Sequence, residues 1–347
     1  MSGRNDTGRV QTRPVLVSIV TYDSEAHLDA CLRSVREQDV PVRICVYDNA
    51  SQDQSCRVAL SHGARLHRSN KNRGFSYGHN FHLRQGGFEH VLILNPDVIL
   101  SQGYLKTLMA SMAGVQRVGM AGGKLFRMDA ENRTVHEDGC PVLDTTGIYF
   151  TPTQRHFDRG SQQPDRGQYD RRQLVFGISG AALMCTREML EDIRYGDEYL
   201  DEDFFAYRED ADLAWRAQLR GWRALYEPAA QGLHLRRVLP SRRARLASHI
   251  NYHSLKNRYL MRIKNLDPAV RRRCFPYMWI RDLGIVGYVL LRERSSLGAY
   301  GQVWRLRNRF RRKRQWVRAS RRVPADSVAR WFSFRPVARD LPSSGDR

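Results

Sequence analysis

The 347-residue sequence lacks the marks of a secreted, disulfide-rich or membrane-spanning chain. Its six cysteines are scattered without a Cys-x-x-Cys pair, which argues against a structural zinc site or a disulfide scaffold and for a reducing compartment. Residues 1–13 are polar and charged, so we expect a disordered tail and not a secretory signal. The longest run of apolar residues and glycine in the C-terminal part, 283–291, has nine residues and is too short to span a bilayer. A cytosolic protein is expected.

Acidic residues are scarce in the last third of the chain. Residues 236–347 contain 29 Lys and Arg but only 6 Asp and Glu, whereas residues 1–235 contain 28 basic and 30 acidic residues. The excess behind the net charge of +21 therefore lies in the last third. Such a region attracts polyanions, either nucleic acid or an anionic membrane, and charge alone does not separate these two partners.

Two nucleotide-binding signatures are also missing. No Gly-x-Gly-x-x-Gly follows the first predicted strand, and no Gly-x-x-x-x-Gly-Lys-Ser/Thr occurs anywhere, which disfavours a dinucleotide oxidoreductase and a P-loop phosphatase. Instead, β-rich apolar segments at 15–22, 42–47, 64–67 and 91–94 alternate with segments of helical periodicity. This alternation predicts a doubly wound α/β fold with a parallel sheet.

Polar side chains follow three of the predicted strands. Thr21 and Tyr22 end the first strand, Asp48 ends the second, and Asp97 comes just after the strand at 91–94. The carboxyl ends of parallel strands lie on one edge of the sheet, so these side chains are expected to converge there with Arg73. Asp48 would accept from a base or ribose, Arg73 would meet phosphate, and Asp97 would hold a divalent cation. Each Asp taken alone also fits a residue that caps a turn.

A second polar centre lies in the acidic segment 201–216. Asp210 shares a face with apolar residues three and seven positions later, so it is expected at the core-facing start of a helix, where the helix dipole stabilises an anion. Simple capping of the first helical turn is the alternative. Upstream, Gly180 lies in the small-residue segment 176–184 and would allow close approach of a ligand or a tight bend in a buried strand.

Taken in order, these motifs resemble the family 2 glycosyltransferases of GT-A fold. The resemblance rests on segments 20–25, 46–51 and 72–75 with Asn80, and on Asn95-Pro96-Asp97. Within the family, the chain is most similar to bacterial rhamnosyltransferase-type enzymes that build cell-surface polysaccharides. The similarity covers residues 14–237 and implies a Rossmann-like mixed sheet flanked by helices, a nucleotide-sugar donor and a divalent metal.

The resemblance also implies roles for individual residues. Asp210 is the general base, and Glu209 orients it or the acceptor. Gly180 and Asp203 belong to the acceptor side. The residues expected to bind the donor are Thr21, Tyr22, Glu25, Asp48, Asn72, Arg73, Gly74, Asn80, Asn95 and Asp97.

The implied metal site holds Mg²⁺ or Mn²⁺ at Asp97 and His234. A neutral imidazole is a suitable ligand, although an isolated histidine is more often a structural hydrogen-bonding residue. The family's usual Asp-x-Asp is here Asn95-x-Asp97, so one carboxylate is missing from the pattern. The donor diphosphate is then expected to supply part of the coordination.

The basic third is predicted to be helical and amphipathic. Segments 246–263 and 303–317 place Tyr, Leu, Phe or Val beside many Arg and Lys residues, and segment 277–291 is strongly apolar. Basic amphipathic helices with aromatic residues are typical of proteins that bind a membrane surface. We prefer an anionic membrane to nucleic acid as the partner, because the apolar segments serve it directly.

The working hypothesis is an inverting, metal-dependent glycosyltransferase. It moves a sugar such as rhamnose from a nucleotide-diphosphate donor to a saccharide or lipid-linked saccharide in cell-surface polysaccharide synthesis, at the cytoplasmic face of the inner membrane. A nucleic-acid-binding protein and a non-catalytic nucleotide-sugar-binding protein are the alternatives. The expected organisation is a disordered tail over 1–13, a catalytic domain over 14–237, a basic helical region over 238–335 and a disordered tail over 336–347.

Overall fold

The computed structural model describes residues 13–236 and 247–341. Within these ranges the strands are β1 (Val15–Thr21), β2 (Val42–Asp48), β3 (Arg65–Arg68), β4 (His90–Leu94), β5 (Val98–Leu100), β6 (Val118–Arg127), β7 (His136–Glu137), β8 (Cys140–Pro141), β9 (Leu143–Thr145), β10 (Ile148–Phe150), β11 (His156–Asp158), β12 (Gln173–Val175), β13 (Ala182–Thr186) and β14 (Arg223–His234). The helices are α1 (Glu25–Arg36), α2 (Ser55–Ser61), α3 (Phe75–Arg84), α4 (Tyr104–Ala113), α5 (Arg187–Ile193), α6 (Glu209–Leu219), α7 (Ser248–Asn265), α8 (Pro268–Arg292), α9 (Gly298–Ala319) and α10 (Ala325–Ala329).

The central sheet is parallel on one side and mixed on the other. Its strands follow the order β12-β14-β6-β13-β4-β1-β2-β3. The four strands β3, β2, β1 and β4 are parallel, as the alternating pattern predicts. Beyond β4, strand β13 runs antiparallel to both β4 and β6, so the parallel sheet expected from the sequence ends there. The carboxyl ends of β1, β2 and β4 share one edge.

Hydrophobic periodicity explains the central strands and the first helix. Every residue of β1 is buried, as expected for a strand covered on both faces. Helix α1 buries Leu28, Cys31, Leu32 and Val35, the positions that its apolar spacing predicts. The predicted first strand and first helix are therefore confirmed.

The C-terminal helices share a continuous hydrophobic core with the sheet domain. Leu260 of α7, Phe310 of α9 and Phe332 after α10 belong to the same buried cluster as the strands. Phe310 stacks on Phe204 with ring centroids 6.0 Å apart. The last third therefore packs onto the sheet domain, although its expected boundary at 237/238 lies outside the described residues.

Helix α8 is longer and more apolar than its longest unbroken run suggests. It includes the nine-residue run at 283–291 and extends back through Pro276 to Pro268. Among the described residues it is the one helix long and apolar enough, by length and composition, to cross a membrane, and 17% of its apolar window is buried. The nine-residue run does not indicate the full length of this apolar helix, because Arg281 and Asp282 interrupt the apolar sequence before it.

Residues 336–341, the start of the predicted C-terminal tail, are among the described residues. Arg339 exchanges backbone hydrogen bonds with Leu174 of β12 at 2.8 and 2.9 Å. Residues 1–12 and 342–347, the remainder of the two predicted tails, lie outside the described residues.

Candidate active site

A cavity of about 1300 Å³ opens at the carboxyl edge of the sheet. Six residues named by the sequence line it: Asn95, Asp97, Gly180, Glu209, Asp210 and His234. They come from four parts of the chain, namely the turn after β4, the segment before β13, the start of α6 and the end of β14. The fold therefore brings together the predicted metal pair and the predicted base.

The predicted metal ligands lie next to each other. His234 ends β14 and pairs with Val98 of β5, just after Asp97. The His234 Nε2 atom lies 3.5 Å from Asp97 Oδ1, and its Nδ1 atom lies 2.7 Å from Asp144 Oδ2. Asp144 therefore fixes the ring so that Nε2 faces Asp97. A carboxylate behind a histidine in this way is the usual support of a metal-binding imidazole.

Charged side chains surround the pair formed by His234 and Asp97. Burial disfavours the charged imidazole, but the carboxylates of Asp144 and Asp97 outweigh burial and raise the pKa of His234 to about 9. Burial works against the Asp144 carboxylate, yet Arg236 and His234 hold its pKa below the usual range. The Arg236 side chain bonds Asp144 at 2.5 and 3.0 Å and Asp158 at 2.7 Å. Positive charge at Nε2 is thus favoured, as a proton or as a cation.

The donor set fits a cation that is held only partly by protein. Among residues 13–236 and 247–341, no group of three or more His, Cys, Asp or Glu side chains is placed to hold a metal ion. Asp97 and His234 would provide two ligands to such a cation, and Asn95 lines the same cavity. Mg²⁺ commonly uses one or two carboxylates and takes its other ligands from substrate phosphate and water. The residues present are compatible with such a site.

Asp210 lies in the first turn of α6 and faces the cavity. Its Oδ2 atom accepts from the Gly180 backbone N–H at 2.9 Å, and its Oδ1 atom accepts from that of Ala211 at 2.7 Å. Burial raises the pKa of Asp210, and nearby Asp158 adds to this, while the two backbone donors oppose it. A positioned carboxylate with a raised pKa is suited to act as a base. Gly180 therefore contributes a backbone N–H that orients Asp210.

Glu209 is buried beside Asp210, and its Oε2 atom has no hydrogen-bond partner among the described residues. Burial, reinforced by the Asp210 charge, raises the pKa of Glu209 to about 8. Two adjacent carboxyl groups in one site resist simultaneous ionisation. The raised pKa of Glu209 therefore favours a single negative charge on the pair, carried by Asp210.

The loop that precedes α6 has an unusual backbone. Phe205, Tyr207 and Arg208 have φ of 68°, 71° and 73°, a region that non-glycine residues rarely adopt. Asn257 of α7 holds this loop, because its Nδ2 atom donates to the carbonyls of Phe204, Ala206 and Tyr207 at 2.8–2.9 Å. No local sequence signal identifies Asn257, since its partners lie some fifty residues earlier.

The same loop contacts the predicted donor loop, residues 72–75, which includes three of the residues expected to bind the donor. The Phe205 carbonyl accepts from the Phe75 N–H at 2.7 Å. Gly74 has φ +89°, and a Cβ there would lie 2.5 Å from that carbonyl, so glycine is required at this position. Asn49 also binds the predicted donor loop, because its side chain accepts from the Arg73 N–H and donates to the Gly74 carbonyl.

Several predicted donor residues are arranged around the ends of β1 and β2. Asp48 is buried and accepts from Thr21 Oγ1 at 3.1 Å and from Ser51 at 2.5 and 3.0 Å. Asn72 accepts from the Gly74 N–H at 2.9 Å. Tyr22 is exposed beside them. Their role in donor binding stays a prediction.

Three predicted residues have structural partners and do not line the cavity. Asn80 is buried and bonds the backbone of Tyr199 and Leu200, which ties α3 to the segment before α6. Glu25 accepts from the Gln54 N–H at 2.6 Å on the surface. Asp203 forms ion pairs with Arg309 and Lys313 of α9. Their donor and acceptor roles also stay predictions.

Comparison of the sequence with known proteins identifies a matching family and a curated relative. A family model described as "Glycosyltransferase like family 2" matches residues 13–257. A curated N-acetylglucosaminyl-diphospho-decaprenol L-rhamnosyltransferase from Mycobacterium tuberculosis is 27% identical over 237 residues, which cover 63% of this chain and 75% of the relative.

Solved glycosyltransferase structures share the fold. S. aureus TarS 1-349 in complex with UDP-GlcNAc has a TM-score of 0.53 and 18% identity, covering 91% of this chain and 89% of that chain. GalNAc-T7 with UDP, GalNAc and Mn²⁺ has a TM-score of 0.55 and 13% identity, and covers 73% of this chain and 48% of that chain. This chain thus spans about half the length of GalNAc-T7. These likenesses confirm the predicted GT-A fold.

Proposed function

The chain belongs to glycosyltransferase family 2, and from this premise we propose that it is an inverting transferase that uses a metal ion and a nucleotide-diphosphate sugar. The observation that carries the proposal is the placement of Asp210 in one cavity with Asp97 and His234. One carboxylate is oriented by backbone donors and has a raised pKa, whereas the other lies beside an imidazole. In this proposal Asp210 acts as the base, and Asp97 with His234 forms a separate site for the leaving group.

In the proposed reaction, Asp210 takes the proton from an acceptor hydroxyl as that oxygen attacks the anomeric carbon. The attack comes from the face opposite the nucleotide diphosphate, so the C–O bond to the leaving group breaks as the new glycosidic bond forms. A single displacement of this kind inverts the anomeric configuration. Gly180 N–H and Ala211 N–H keep the carboxylate oriented throughout.

Asp97 and His234 are the proposed ligands of Mg²⁺ or Mn²⁺, with Asn95 beside them. When bound, the cation would offset the negative charge that develops on the departing diphosphate. Asp144 holds the His234 ring for this role, and its own carboxylate is secured by Arg236. The GalNAc-T7 structure, which contains UDP and Mn²⁺, supports a divalent metal with the nucleotide in this fold.

The proposed acceptor is a saccharide carried on a lipid diphosphate. The mycobacterial relative is named as a rhamnosyltransferase acting on N-acetylglucosaminyl-diphospho-decaprenol, which supports rhamnose as the sugar moved. An acceptor of this kind is anchored in a membrane. The basic last third of the chain suits a peripheral position on the cytoplasmic face of the inner membrane, in polysaccharide synthesis.

A panel of nucleotide sugars tests this proposal by thermal shift. With Mn²⁺ present, the correct donor at a hundred times its Kd should stabilise the protein by about 2.7 kcal/mol, whereas unrelated donors should not. Asp97→Asn should lose the part of the shift that depends on the metal, and Asp138→Asn, on an exposed carboxylate outside the cavity, should behave as wild type. A cooperative transition that no donor shifts would contradict the proposal. Transfer that survives thorough chelation would contradict the metal site.

The pH profile of kcat/KM tests the environment of Asp210 in the free enzyme. Asp210 acts as a base only when ionised, and its pKa is raised, so kcat/KM should fall as the pH drops through a value above the ordinary aspartate range near 3.9. Asp158→Asn removes a like charge and frees Arg236 from its ion pair with Asp158, and both changes favour the Asp210 anion. The acid limb should therefore move to lower pH in this variant. A shift to higher pH would contradict the assignment.

A further inference from the structure

Helix α8 has two apolar faces, and the described residues of the protein cover only one of them. Cys274, Met278 and Val289 face inward and are buried. The opposite face carries a stripe of large apolar side chains at helical spacing, and Trp279 and Leu283 are 56% and 65% exposed. The exposed apolar side chains of this helix are Phe275, Tyr277, Trp279, Ile280, Leu283, Val286, Tyr288, Leu290 and Leu291. Contiguous exposed apolar surface of this extent usually marks a binding site.

Ion pairs on the inward side of α8 determine how this helix can contact a membrane. Asp282, near the middle of the helix, bonds Arg258 at 3.0 Å and Arg262 at 2.6 Å, and both arginines belong to α7. A helix tied by its centre to ion pairs of the same protein does not cross a bilayer, despite its length and composition. It is suited instead to lie in the plane of the interface with its outer face in the lipid.

The charges on α8 favour an anionic lipid surface. The helix carries Arg271, Arg272, Arg273, Arg281 and Arg292, all exposed, against the single acidic residue Asp282, which is already paired. Arginine side chains at the edge of an apolar stripe bury their stems and reach the headgroups. Each basic residue near an anionic leaflet adds to the attraction. Charge complementarity therefore selects an anionic bilayer as the occupant.

The candidate active site opens beside this face. Ile280, Arg281, Gly284, Ile285 and Tyr288 of α8 line the same cavity as Asp97 and Asp210. Ile280 is 69% exposed, so it belongs to the cavity wall and to the outer apolar surface at once. One edge of α8 thus forms the cavity wall, and its outer surface is available to lipid.

We propose that the outer face of α8 docks in the plane of an anionic lipid bilayer. In this orientation the cavity opens at headgroup level, and a lipid-linked acceptor presents its saccharide to Asp210 while its hydrocarbon chain stays in the membrane. The identity of the acceptor rests on the proposed function, whereas docking does not. Docking needs neither donor nor acceptor, so it is tested separately.

Vesicle co-sedimentation of the full chain tests the docking. The protein should sediment with vesicles of 30% phosphatidylglycerol in phosphatidylcholine and much less with pure phosphatidylcholine. Leu283→Asp with Leu291→Asp should lower the partition coefficient at least tenfold, because both side chains are exposed on the outer face and neither lines the cavity. The matched control is Leu60→Asp on α2, where the side chain is 60% exposed, and it should bind as wild type.

Three results would overturn the proposal. The first is wild-type protein that stays in the supernatant with anionic vesicles, and the second is a double variant that binds as wild type does. The third is a stable dimer in sedimentation velocity that the double variant dissolves, since a second copy would then cover the face. Vesicle binding without transfer to any acceptor would leave docking intact and remove the proposed function. Conversely, the double variant should keep wild-type turnover of a water-soluble acceptor and lose turnover of the same saccharide on a lipid in vesicles.

Discussion

Replacing Asp210 with asparagine should abolish sugar transfer and leave donor binding intact. The amide keeps one carbonyl oxygen, which can accept from the Gly180 N–H that lies 2.9 Å from Oδ2, but it loses the second acceptor, Oδ1, which bonds the Ala211 N–H. The loss of one such bond costs about 1 kcal/mol, so the fold is retained. What is lost is the ability to take a proton, and general base catalysis contributes about 10²–10⁴-fold. The expected result is therefore a fall in kcat of this size. Steady-state transfer, together with the donor-induced thermal shift, measures both parts.

A helix-capping role for Asp210 predicts a different outcome. Loss of a capping carboxylate costs about 1 kcal/mol of stability and has no direct effect on chemistry. Glu188→Gln makes the same change of charge in the first turn of α5, where the side chain is exposed, and should leave kcat unchanged. Retained turnover in Asp210→Asn, with a lowered melting temperature alone, would remove Asp210 from the base role.

The parallel half of the sheet was predictable because its signals are local. The strands β1, β2 and β4 are short, mostly apolar runs that end at polar residues, and β1 and β2 are each followed by a helix. Helical connections between such strands predict parallel pairing with right-handed crossovers, but they do not give the observed order β4-β1-β2-β3. Strand β13 carries no such signal for its place between β4 and β6, since its partners begin some sixty to ninety residues earlier. Its antiparallel insertion depends on long-range packing.

The site was predictable where chemistry coincides with a strand end or a helix start. Asp97 and Asp210 have such positions, and His234 follows from the family resemblance. Asp144 does not, because it lies in the weakly periodic segment 125–173, although its buried carboxylate orients His234 at 2.7 Å. Asn257 is likewise one polar residue on a long helix. Residues that position others act across the fold and leave no pattern along the chain.

The amino-acid composition identifies the basic last third, but it does not indicate which Lys and Arg side chains are buried there. Lys264 and Lys313 are almost fully buried, in a cluster that joins α7 and α9 to the segment before α6. Lys264 bonds Asp201 at 2.8 Å and Asp212 at 2.9 Å. These lysines therefore belong to the structure around the candidate base and not to the polyanion-binding surface that the net charge suggests.

Replacing Lys313 with methionine should destabilise the protein by about 3–5 kcal/mol, because removal of one partner leaves buried charge without compensation. The Lys313 Nζ atom bonds Asp201 at 2.6 Å, Glu198 at 2.9 Å and Asp203 at 3.1 Å. Methionine fills a similar volume, so packing loss is small. Urea unfolding followed by circular dichroism measures the change. Lys106→Met, at an exposed position of α4, is the matched control and should change stability by less than about 0.5 kcal/mol.

The destabilisation by Lys313→Met should also shrink as the pH falls. Burial works against the Asp201 carboxylate, but Lys264 and Lys313 hold its pKa below the usual value, so the wild-type protein gains stability from this group above the unfolded pKa. That contribution is lost as the pH falls through the folded pKa, and the variant, with less to lose, should lose less. The difference in unfolding free energy between wild type and variant should therefore be smaller at about pH 3, below the unfolded pKa of an aspartate, than at pH 7. A difference that is constant with pH would mean that Lys313 stabilises α9 by packing and not by its charge.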